Sequence, residues 1–294
     1  MKNDNYHESV MTREVIENLH IKKACKYIDA TEGTGGHTLA IAGQGGEVLG
    51  IEADPEMLAV AKRRLENTCP TPKLILGNFI DIDKIAQENG YRKVSGILFD
   101  LGVSNLHLTD ASRGFSFGSS EVTLDMRLNR ETQGVKAADL LNVLRKDQLV
   151  DLFTATLDPG PSRWLSSRVV NFRQNKPINT VSDFLEICKG LKTGKQSLAS
   201  RSPGKKTLNE ATLPFLALRI AVNSELDNLK SVLPKAYDIL EEEGYLVVIT
   251  FHSAEDVIVK EFFGGRGEYI TPSLSEIDNN QRARSAKMRV LQKK

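Results

Sequence analysis

Short apolar runs and longer helical segments alternate over the first hundred residues of the chain. Helical spacing of apolar residues is clearest in PEMLAVAKRRLEN (55–67), where Pro55 marks the start of a helix. Alternation of strands with helices of roughly 10 to 15 residues predicts right-handed βαβ units and a parallel sheet. The predicted strands are KYIDA (26–30), EVLGIE (47–52), KLILGN (73–78) and SGILFDLG (95–102).

The alternation stops after Gly102, and an apolar run of the strand type, GYLVVITF (244–251), returns only much later. From about residue 110 to 206 the chain shows amphipathic helical segments and no convincing strand. A strand pattern that breaks and resumes predicts an α/β fold, a doubly wound sheet with an inserted helical domain. We expect the sheet domain to comprise residues 1–109 and 207–294, and the inserted all-helical domain to comprise residues 110–206.

The composition is typical of a globular protein from a reducing, cytoplasmic compartment. Hydrophobic residues make up 40% of the 294 residues, and no apolar run approaches the roughly 18 residues that span a membrane. The polar start MKNDNYHES lacks the apolar stretch of a signal peptide. Cys25, Cys69 and Cys188 have no metal-ligand spacing, and no heptad seam is visible. We therefore expect no membrane association and no metal, and we infer no stable protein partner, while a monomer and a modest dimer are equally compatible with the sequence.

Basic residues are concentrated in two tracts, although the net charge is only +1. Neither tract contains Asp or Glu, so each fits contacts with the phosphates of RNA. A solvated loop and a solvated tail are the alternative interpretation, and charge alone does not choose between the two. The basic residues are Lys189, Lys192, Lys195, Arg201, Lys205 and Lys206 in the first tract, and Arg282, Arg284, Lys287, Arg289, Lys293 and Lys294 in the second.

The stretch DATEGTGGHT (29–38) places a glycine-rich turn directly after the first predicted strand, where nucleotide-like ligands bind. No lysine follows the glycines, as a triphosphate loop requires, and Thr38 stands where the dinucleotide fingerprint has its third glycine. Asp29 would repel a pyrophosphate, whereas its carboxylate suits the cationic amino and sulfonium groups of S-adenosylmethionine. Glu52 ends the second strand, where an acid accepts hydrogen bonds from ribose hydroxyls. The turn favours S-adenosylmethionine over NAD.

Several motifs follow one another in the order and nearly the spacing of one family, from about His7 to the C-terminus. They are DATEGTGGHT, GIEADPEMLAVA, DLGVSNLHLTDASRGFSFGSSEVTLDMRLN, LALRIAVNSELDNL, TFHSAEDVIVKEFF and NNQRARSAKMRV. With them the chain resembles the bacterial 16S ribosomal RNA (cytosine-N4)-methyltransferases (RsmH/MraW type). The resemblance implies a class I S-adenosylmethionine-dependent methyltransferase fold with an inserted helical domain. It also implies S-adenosylmethionine as the methyl donor, and a cytosine of the decoding region of 16S ribosomal RNA, within the small ribosomal subunit, as the acceptor.

The resemblance also implies a set of donor-binding residues. Glu52 stands where the family usually has Asp, and His107 where glutamine is common. Phe79 corresponds to an aromatic residue near the adenine, with core packing as the alternative. Together with the residues of the glycine turn, the predicted donor site comprises Asp29, Gly33, Gly35, Gly36, His37, Glu52, Phe79, Asp100 and His107.

The chain departs from the family pattern in segments expected to face RNA or the base. Leu213 and Asn209 replace an arginine and a histidine, and PGPSRWLSSRVV keeps Arg163 and Arg168 but loses an acidic pair. Two alternative functions therefore stay open. One is a non-catalytic RNA-binding protein on a methyltransferase scaffold. The other is an NAD(P)-dependent oxidoreductase, which the missing third glycine and Asp29 disfavour.

The residues near the ends of the fourth and fifth strands fit methylation of an exocyclic amine. Methylation at cytosine C5 requires a cysteine thiolate, and none of the cysteines lies near those strand ends. An amine requires acceptors for its hydrogens, and the DLGVSN turn offers Asp100, Ser104 and Asn105, with Asp100 as the first candidate. FHSAED adds His252 and Asp256 as further candidates. Alternatively, this motif only starts a helix, with Ser253 as its cap and Asp256 in the first turn.

Overall fold

The computed structural model describes residues 9–118, 121–192 and 209–294, except for the side chain of Asn105. The chain divides into two compact units. The first unit comprises Met1–Ser104 and Leu226–Lys294, and the second comprises Asn105–Glu225. The second unit therefore interrupts the first in sequence.

The first unit contains a seven-stranded sheet of order β3-β2-β1-β4-β5-β7-β6. Strands β1 to β5 pair in parallel, and β7 pairs antiparallel with both β5 and β6. This order and the reversed strand β7 confirm the predicted class I methyltransferase sheet. The five predicted strands are present, whereas the sequence pattern missed β6 and β7. The strands are β1 Lys26–Asp29, β2 Glu47–Glu52, β3 Lys73–Leu76, β4 Val94–Asp100, β5 Leu240–Thr250, β6 Glu268–Ile270 and β7 Lys287–Gln292.

The central strands are apolar on both faces because helices cover the sheet on both sides. Alternate residues of β1 illustrate this: Ile28 packs into one buried cluster, with Leu49 and Phe99, and Tyr27 packs into the other. The helix that follows β2 begins at Pro55, as the sequence predicted, and the structure shows Asp54 as its N-cap. The helices of this unit are Thr12–Leu19, Gly36–Gly43, Pro55–Leu65, Ile82–Asn89, Glu225–Ile239, Ser253–Phe263 and Leu274–Asn279, with 3-10 turns at Phe79–Asp81 and Gln281–Ser285.

The second unit is helical, and its described residues contain no strand beyond one isolated bridge between Thr123 and Thr180. Its core includes the aromatic rings of Phe153, Phe184 and Phe215, with the last two 5.3 Å apart. The helices are Asn105–Thr109, Ala137–Val143, Lys146–Thr154, Pro159–Arg173, Val181–Cys188 and Thr212–Asn223, with a 3-10 turn at Ala111–Arg113.

The second unit is longer than the insert predicted at residues 110–206. The helix Thr212–Asn223 belongs to it because its apolar side packs among the other helices of that unit. Phe215 is buried against Phe184, and the Leu213 carbonyl accepts a hydrogen bond from the Thr156 hydroxyl at 2.7 Å. The sequence analysis placed this helix in the sheet domain. An apolar pattern identifies a helix, but it does not identify the elements against which the helix packs.

The structure describes only one of the two basic tracts in full. Most of the tract from Lys189 to Lys206 lies outside the described residues. The tract from 281 to 294 is not a solvated tail, since it forms a 3-10 turn and strand β7. Lys293 Nζ donates to the carbonyls of Tyr237 and Leu240 at 3.0 Å, at the end of a helix.

No helix among the described residues combines the length and the apolar character that crossing a membrane requires.

Candidate active site

Three acidic residues end neighbouring parallel strands of the first unit. Asp29 ends β1, Glu52 ends β2 and Asp100 ends β4. The strand register pairs Asp29 with Gly50 of β2 and with Leu98 of β4. The three carboxylates therefore lie along one edge of the sheet, the edge at which α/β sheets bind their ligands.

The glycine turn after β1 folds over this edge and is tied to Glu52. Gly33 and Gly35 adopt positive φ angles of 56° and 84°, which only glycine takes without strain. Glu52 accepts the Gly33 N–H at 2.7 Å and the Asp54 N–H at 2.8 Å. Glu52 thus joins the glycine turn to the start of the helix that follows β2. A side chain at Gly36 would collide with Ser9, since a Cβ there lies 1.9 Å from the hydroxyl oxygen.

Asp29 is fully buried behind the glycine turn. Its carboxylate accepts the Thr31 N–H at 3.1 Å and lies 3.4 Å from the Thr38 hydroxyl. Burial raises the pKa of Asp29 to about 6, against the opposing effect of nearby His37. A positive ligand at this position would favour the ionised form of Asp29.

Glu32 is a second buried carboxyl group that the sequence interpretation missed. Its Oε2 accepts a hydrogen bond from the Thr38 hydroxyl at 2.6 Å. A Cβ on Gly50 would lie 2.1 Å from the same oxygen, so glycine in the middle of β2 makes room for Glu32. Burial, and then repulsion by Asp29, raises the pKa of Glu32 well above its usual value. The available sequence signal was a glycine inside a strand pattern, which indicates a close approach by another group.

His37 joins the glycine turn to Asp100. The ring is buried, and its Nε2 lies 3.3 Å from Asp100 Oδ2, with an orientation that falls short of a hydrogen bond. Burial favours the neutral ring, but the nearby Asp100 and Asp29 outweigh it and raise the pKa of His37. Among the described residues, Asp100 Oδ1 and both ring nitrogens of His37 lack hydrogen-bond partners. Unsatisfied buried polar atoms of this kind are suited to receive a polar ligand.

The two aromatic candidates lie in different units. Phe79 starts a 3-10 turn after β3 and contacts Phe99 edge-on, with ring centroids 5.7 Å apart. Its ring is half-buried against the core, and the exposed part of the ring can contact an adenine. His107 belongs to the second unit, where it is buried with its ring 5.3 Å from Phe115. Donor contact by either residue stays a prediction.

The motif FHSAED begins a helix, and its cap is not the residue that the sequence suggested. His252, rather than Ser253, is the N-cap of Ser253–Phe263, and it forms a capping box with Glu255. Glu255 is buried and accepts the Phe251 N–H at 2.9 Å. Ser253 is the first helical residue, because the histidine ring takes the capping position.

Asp256 lies in the first turn of this helix and is held by two cations of β7. Arg289 Nε lies 2.8 Å and Lys287 Nζ 3.2 Å from its carboxylate oxygens. These partners lower the pKa of Asp256 despite partial burial, so it is ionised and already compensated. Asp100 instead lies beside the ring of His37, and Ser104 is half-buried four residues beyond it. Catalytic roles for Asp100, Ser104, His252 and Asp256 stay predictions.

Comparison with known proteins matches residues 4–269 to the MraW methylase family. Two similar proteins are both named ribosomal RNA small subunit methyltransferase H. The one from Methylacidiphilum infernorum is 38% identical over 97% of this chain and 93% of its own. The one from Pseudothermotoga lettingae is 36% identical over 98% of this chain and 99% of its own. An rRNA methylase structure from Streptococcus thermophilus has a TM-score of 0.43 and 12% identity, covering 96% of this chain and 93% of that one.

The buried carboxyl of Glu32 makes a prediction about stability. Because its pKa is higher in the folded protein than the usual 4.5, the folded state binds its proton more tightly than the unfolded state. The contribution of Glu32 is therefore fully present at acid pH and is lost as the pH rises above about 4.5. We expect Glu32→Gln to match the wild type near pH 4 and to exceed its free energy of unfolding increasingly toward pH 8.

Urea unfolding at a series of pH values measures this difference. The control is Glu66→Gln, which changes an exposed carboxylate on the surface. If the free energy of unfolding of Glu32→Gln changed with pH in parallel with that of the wild type, ionisation of Glu32 would not destabilise the folded protein.

Proposed function

Because this chain belongs to the MraW methylase family, we propose that it methylates N4 of a cytosine in the 16S ribosomal RNA of the small ribosomal subunit. The methyl donor is S-adenosylmethionine, and the enzyme acts in the cytoplasm on the decoding region. The chain covers nearly the whole length of its relatives, which supports carrying over the activity as well as the fold. The observation that carries the proposal is the row of carboxylates Asp29, Glu52 and Asp100 beside the glycine turn.

Each part of this edge suits one part of the donor. Buried Asp29 and the carboxyl group of Asp100 at the end of β4 favour the positive charge of the amino and sulfonium groups. Glu52 offers acceptors to both ribose hydroxyls, as acids at this strand end do in nucleoside-binding folds. Half-buried Phe79 offers its ring to the adenine. The turn itself brings backbone close to the ligand without side chains at Gly33 and Gly35.

The transfer needs a positioned amine rather than a covalent intermediate. The lone pair of cytosine N4 attacks the methyl carbon, the carbon–sulfur bond breaks, and its electrons remain on sulfur as S-adenosylhomocysteine forms. The methylated nitrogen then loses one proton to an acceptor or to water. We assign Asp100 to holding an amino hydrogen, so that the nitrogen aligns with the methyl group.

The locations of the cysteines support this chemistry over methylation at C5. Cys25 directly precedes β1 and Cys69 precedes β3, so both lie toward the amino ends of the strands, away from Asp100. Cys188 is buried in the second unit, and burial raises the pKa of its thiol far above the usual range. A thiol that stays protonated is a poor nucleophile.

We propose that the second unit recognises the RNA. Its helix Pro159–Arg173 presents exposed Trp164, and the guanidinium of Arg168 lies over the indole ring at 4.9 Å. Aromatic and arginine surfaces of this kind stack on unpaired bases, and RNA is read mainly through such single-stranded elements. Exposed Arg163 on the same helix adds positive charge for phosphates.

An oxidoreductase function is not supported by the site. The third glycine of a dinucleotide fingerprint is replaced by Thr38, whose hydroxyl is committed to buried Glu32. A non-catalytic RNA-binding protein would retain the same donor edge, so only a test of methyl transfer separates it from an enzyme.

The first functional prediction concerns the ribose. Glu52→Ala removes a charged acceptor, and hydrogen bonds to charged groups contribute roughly 1.5–3 kcal/mol each, so we expect at least a roughly tenfold loss of donor affinity. Calorimetric titration with S-adenosylmethionine measures it. Glu52→Asp keeps the charge and should bind nearly as the wild type does, and Glu66→Ala is the surface control. Unchanged affinity in folded Glu52→Ala would place the adenosyl group elsewhere.

The second concerns the reacting atom. A variant with Cys25, Cys69 and Cys188 all changed to serine should still produce N4-methylcytidine in unmethylated small subunits, because no thiolate is used. Asp100→Ala should produce almost none while it remains folded. Digestion of the RNA to nucleosides and mass spectrometry identify the product. Loss of activity in the folded cysteine-free protein would contradict the mechanism.

A further inference from the structure

The turn that follows β4 is anchored at both ends. At its start the Asp100 N–H donates to the Thr31 hydroxyl at 2.6 Å, and the Leu101 N–H donates to the Ile249 carbonyl at 3.0 Å. At its other end the Val103 carbonyl accepts a hydrogen bond from the guanidinium of Arg282. Arg282 is 179 residues away in sequence and belongs to the motif RARSAK, to which the proposed reaction gives no role.

The segment that presents Arg282 is itself fixed. Arg282 lies in the 3-10 turn Gln281–Ser285, and its N–H donates to the Asn280 side chain at 3.3 Å. Asn280 is buried, and its own N–H donates to the Glu276 carbonyl at 2.6 Å. Ala283, next to Arg282, is fully buried in the core. The guanidinium therefore extends from a rigid base toward the turn after β4.

The turn needs such an anchor because of its sequence. Amino-methylating enzymes of other families often carry two prolines after the acidic residue that ends this strand, and proline fixes its own φ angle. Here the corresponding residues are Leu101 and Gly102. Gly102 is exposed with φ of 110°, a conformation that contributes no stiffness of its own. The Arg282 contact therefore restrains the far end of the turn, in addition to the contacts of Asp100 and Leu101 at its start.

We propose that Arg282 is a positioning residue for methyl transfer. By holding the Val103 carbonyl, it fixes the backbone between Asp100 and Ser104 and thereby the placement of both side chains toward the acceptor amine. This inference rests on the proposed function, because it assigns Arg282 to the acceptor side of that reaction. It also separates Arg282 from the RNA-phosphate role that the basic tract 281–294 suggested.

The two roles differ in what they change. A phosphate contact contributes to RNA affinity and to its salt dependence, so its loss raises KM and reduces the salt slope. A positioning residue acts on the geometry of the reacting groups, and small misplacements there lower the rate by up to roughly a hundredfold. Loss of the Arg282 contact should therefore lower kcat roughly ten- to hundredfold and leave KM for the small subunit unchanged.

The experiment compares Arg282→Ala with Arg284→Ala in the full-length protein. Arg284 lies two residues away in the same 3-10 turn, is exposed, and carries the same charge, so it controls for charge loss. Measurements are kcat and KM for methylation of unmethylated small subunits at several salt concentrations, and donor affinity by calorimetry. Hydrogen exchange of the amides of residues 101–104 reports on the turn without requiring activity.

We expect Arg282→Ala to lose kcat and to exchange faster at residues 101–104, with KM and salt slope as in the wild type and with donor affinity reduced far less than kcat. Arg284→Ala should keep the wild-type kcat and exchange. Arg282→Lys should recover part of the rate, and should Arg282→Ala fail to fold, faster exchange of residues 101–104 in Arg282→Lys is the deciding measurement.

Wild-type kcat and wild-type exchange at residues 101–104 in the Arg282 variants would overturn the inference. A raised KM with a reduced salt slope would also overturn it and assign Arg282 to RNA phosphates. A wild-type protein that transfers no methyl group would instead contradict the proposed function, and the exchange measurement would still test the anchor.

Discussion

The burial of Asp29 at the carboxyl edge of the sheet is the constraint around which the neighbouring turn and strands are arranged. A buried carboxylate loses its hydration, and the Thr31 N–H and the ring of His37 replace only part of it. The pKa of Asp29 accordingly remains raised to about 6. An ionised Asp29 is therefore stabilised by a positive ligand, and S-adenosylmethionine carries positive charge on its sulfonium and on its amino group. In the proposed function, the burial of Asp29 favours a cationic donor.

The same burial constrains the backbone around it. Glu32 fills the space behind Thr38, and β2 must have glycine at position 50 to admit its carboxyl group. Gly33 must turn with a positive φ so that its N–H reaches Glu52, which ties the glycine turn to the neighbouring strand. One packing arrangement therefore accounts for the conformation of the turn, for the glycine at position 50 of β2 and for the position of Glu52.

Much of this arrangement could be predicted from the sequence, because strands β1 to β5 are buried on both faces and read as short apolar runs. Strands β6 and β7 were missed. Strand β6 has only three residues, Glu268–Ile270, and β7 lies within the basic tract 281–294, which was interpreted by its charge rather than by its alternation of basic and apolar residues. Long-range contacts such as those of Asp256 with Lys287 and Arg289 also have no local signature. Motif spacing identified the residues of the proposed donor edge, whereas partners supplied by distant strands required the structure.

A single-turnover reaction shows whether this edge of the sheet supports methyl transfer to an exocyclic amine. Excess wild-type protein is mixed with methyl-labelled S-adenosylmethionine and unmethylated small ribosomal subunits, and the labelled nucleosides are identified by mass spectrometry. We expect one labelled methyl group per subunit, recovered as N4-methylcytidine. A protein that binds the donor but transfers no label, or that yields 5-methylcytidine, would contradict this expectation.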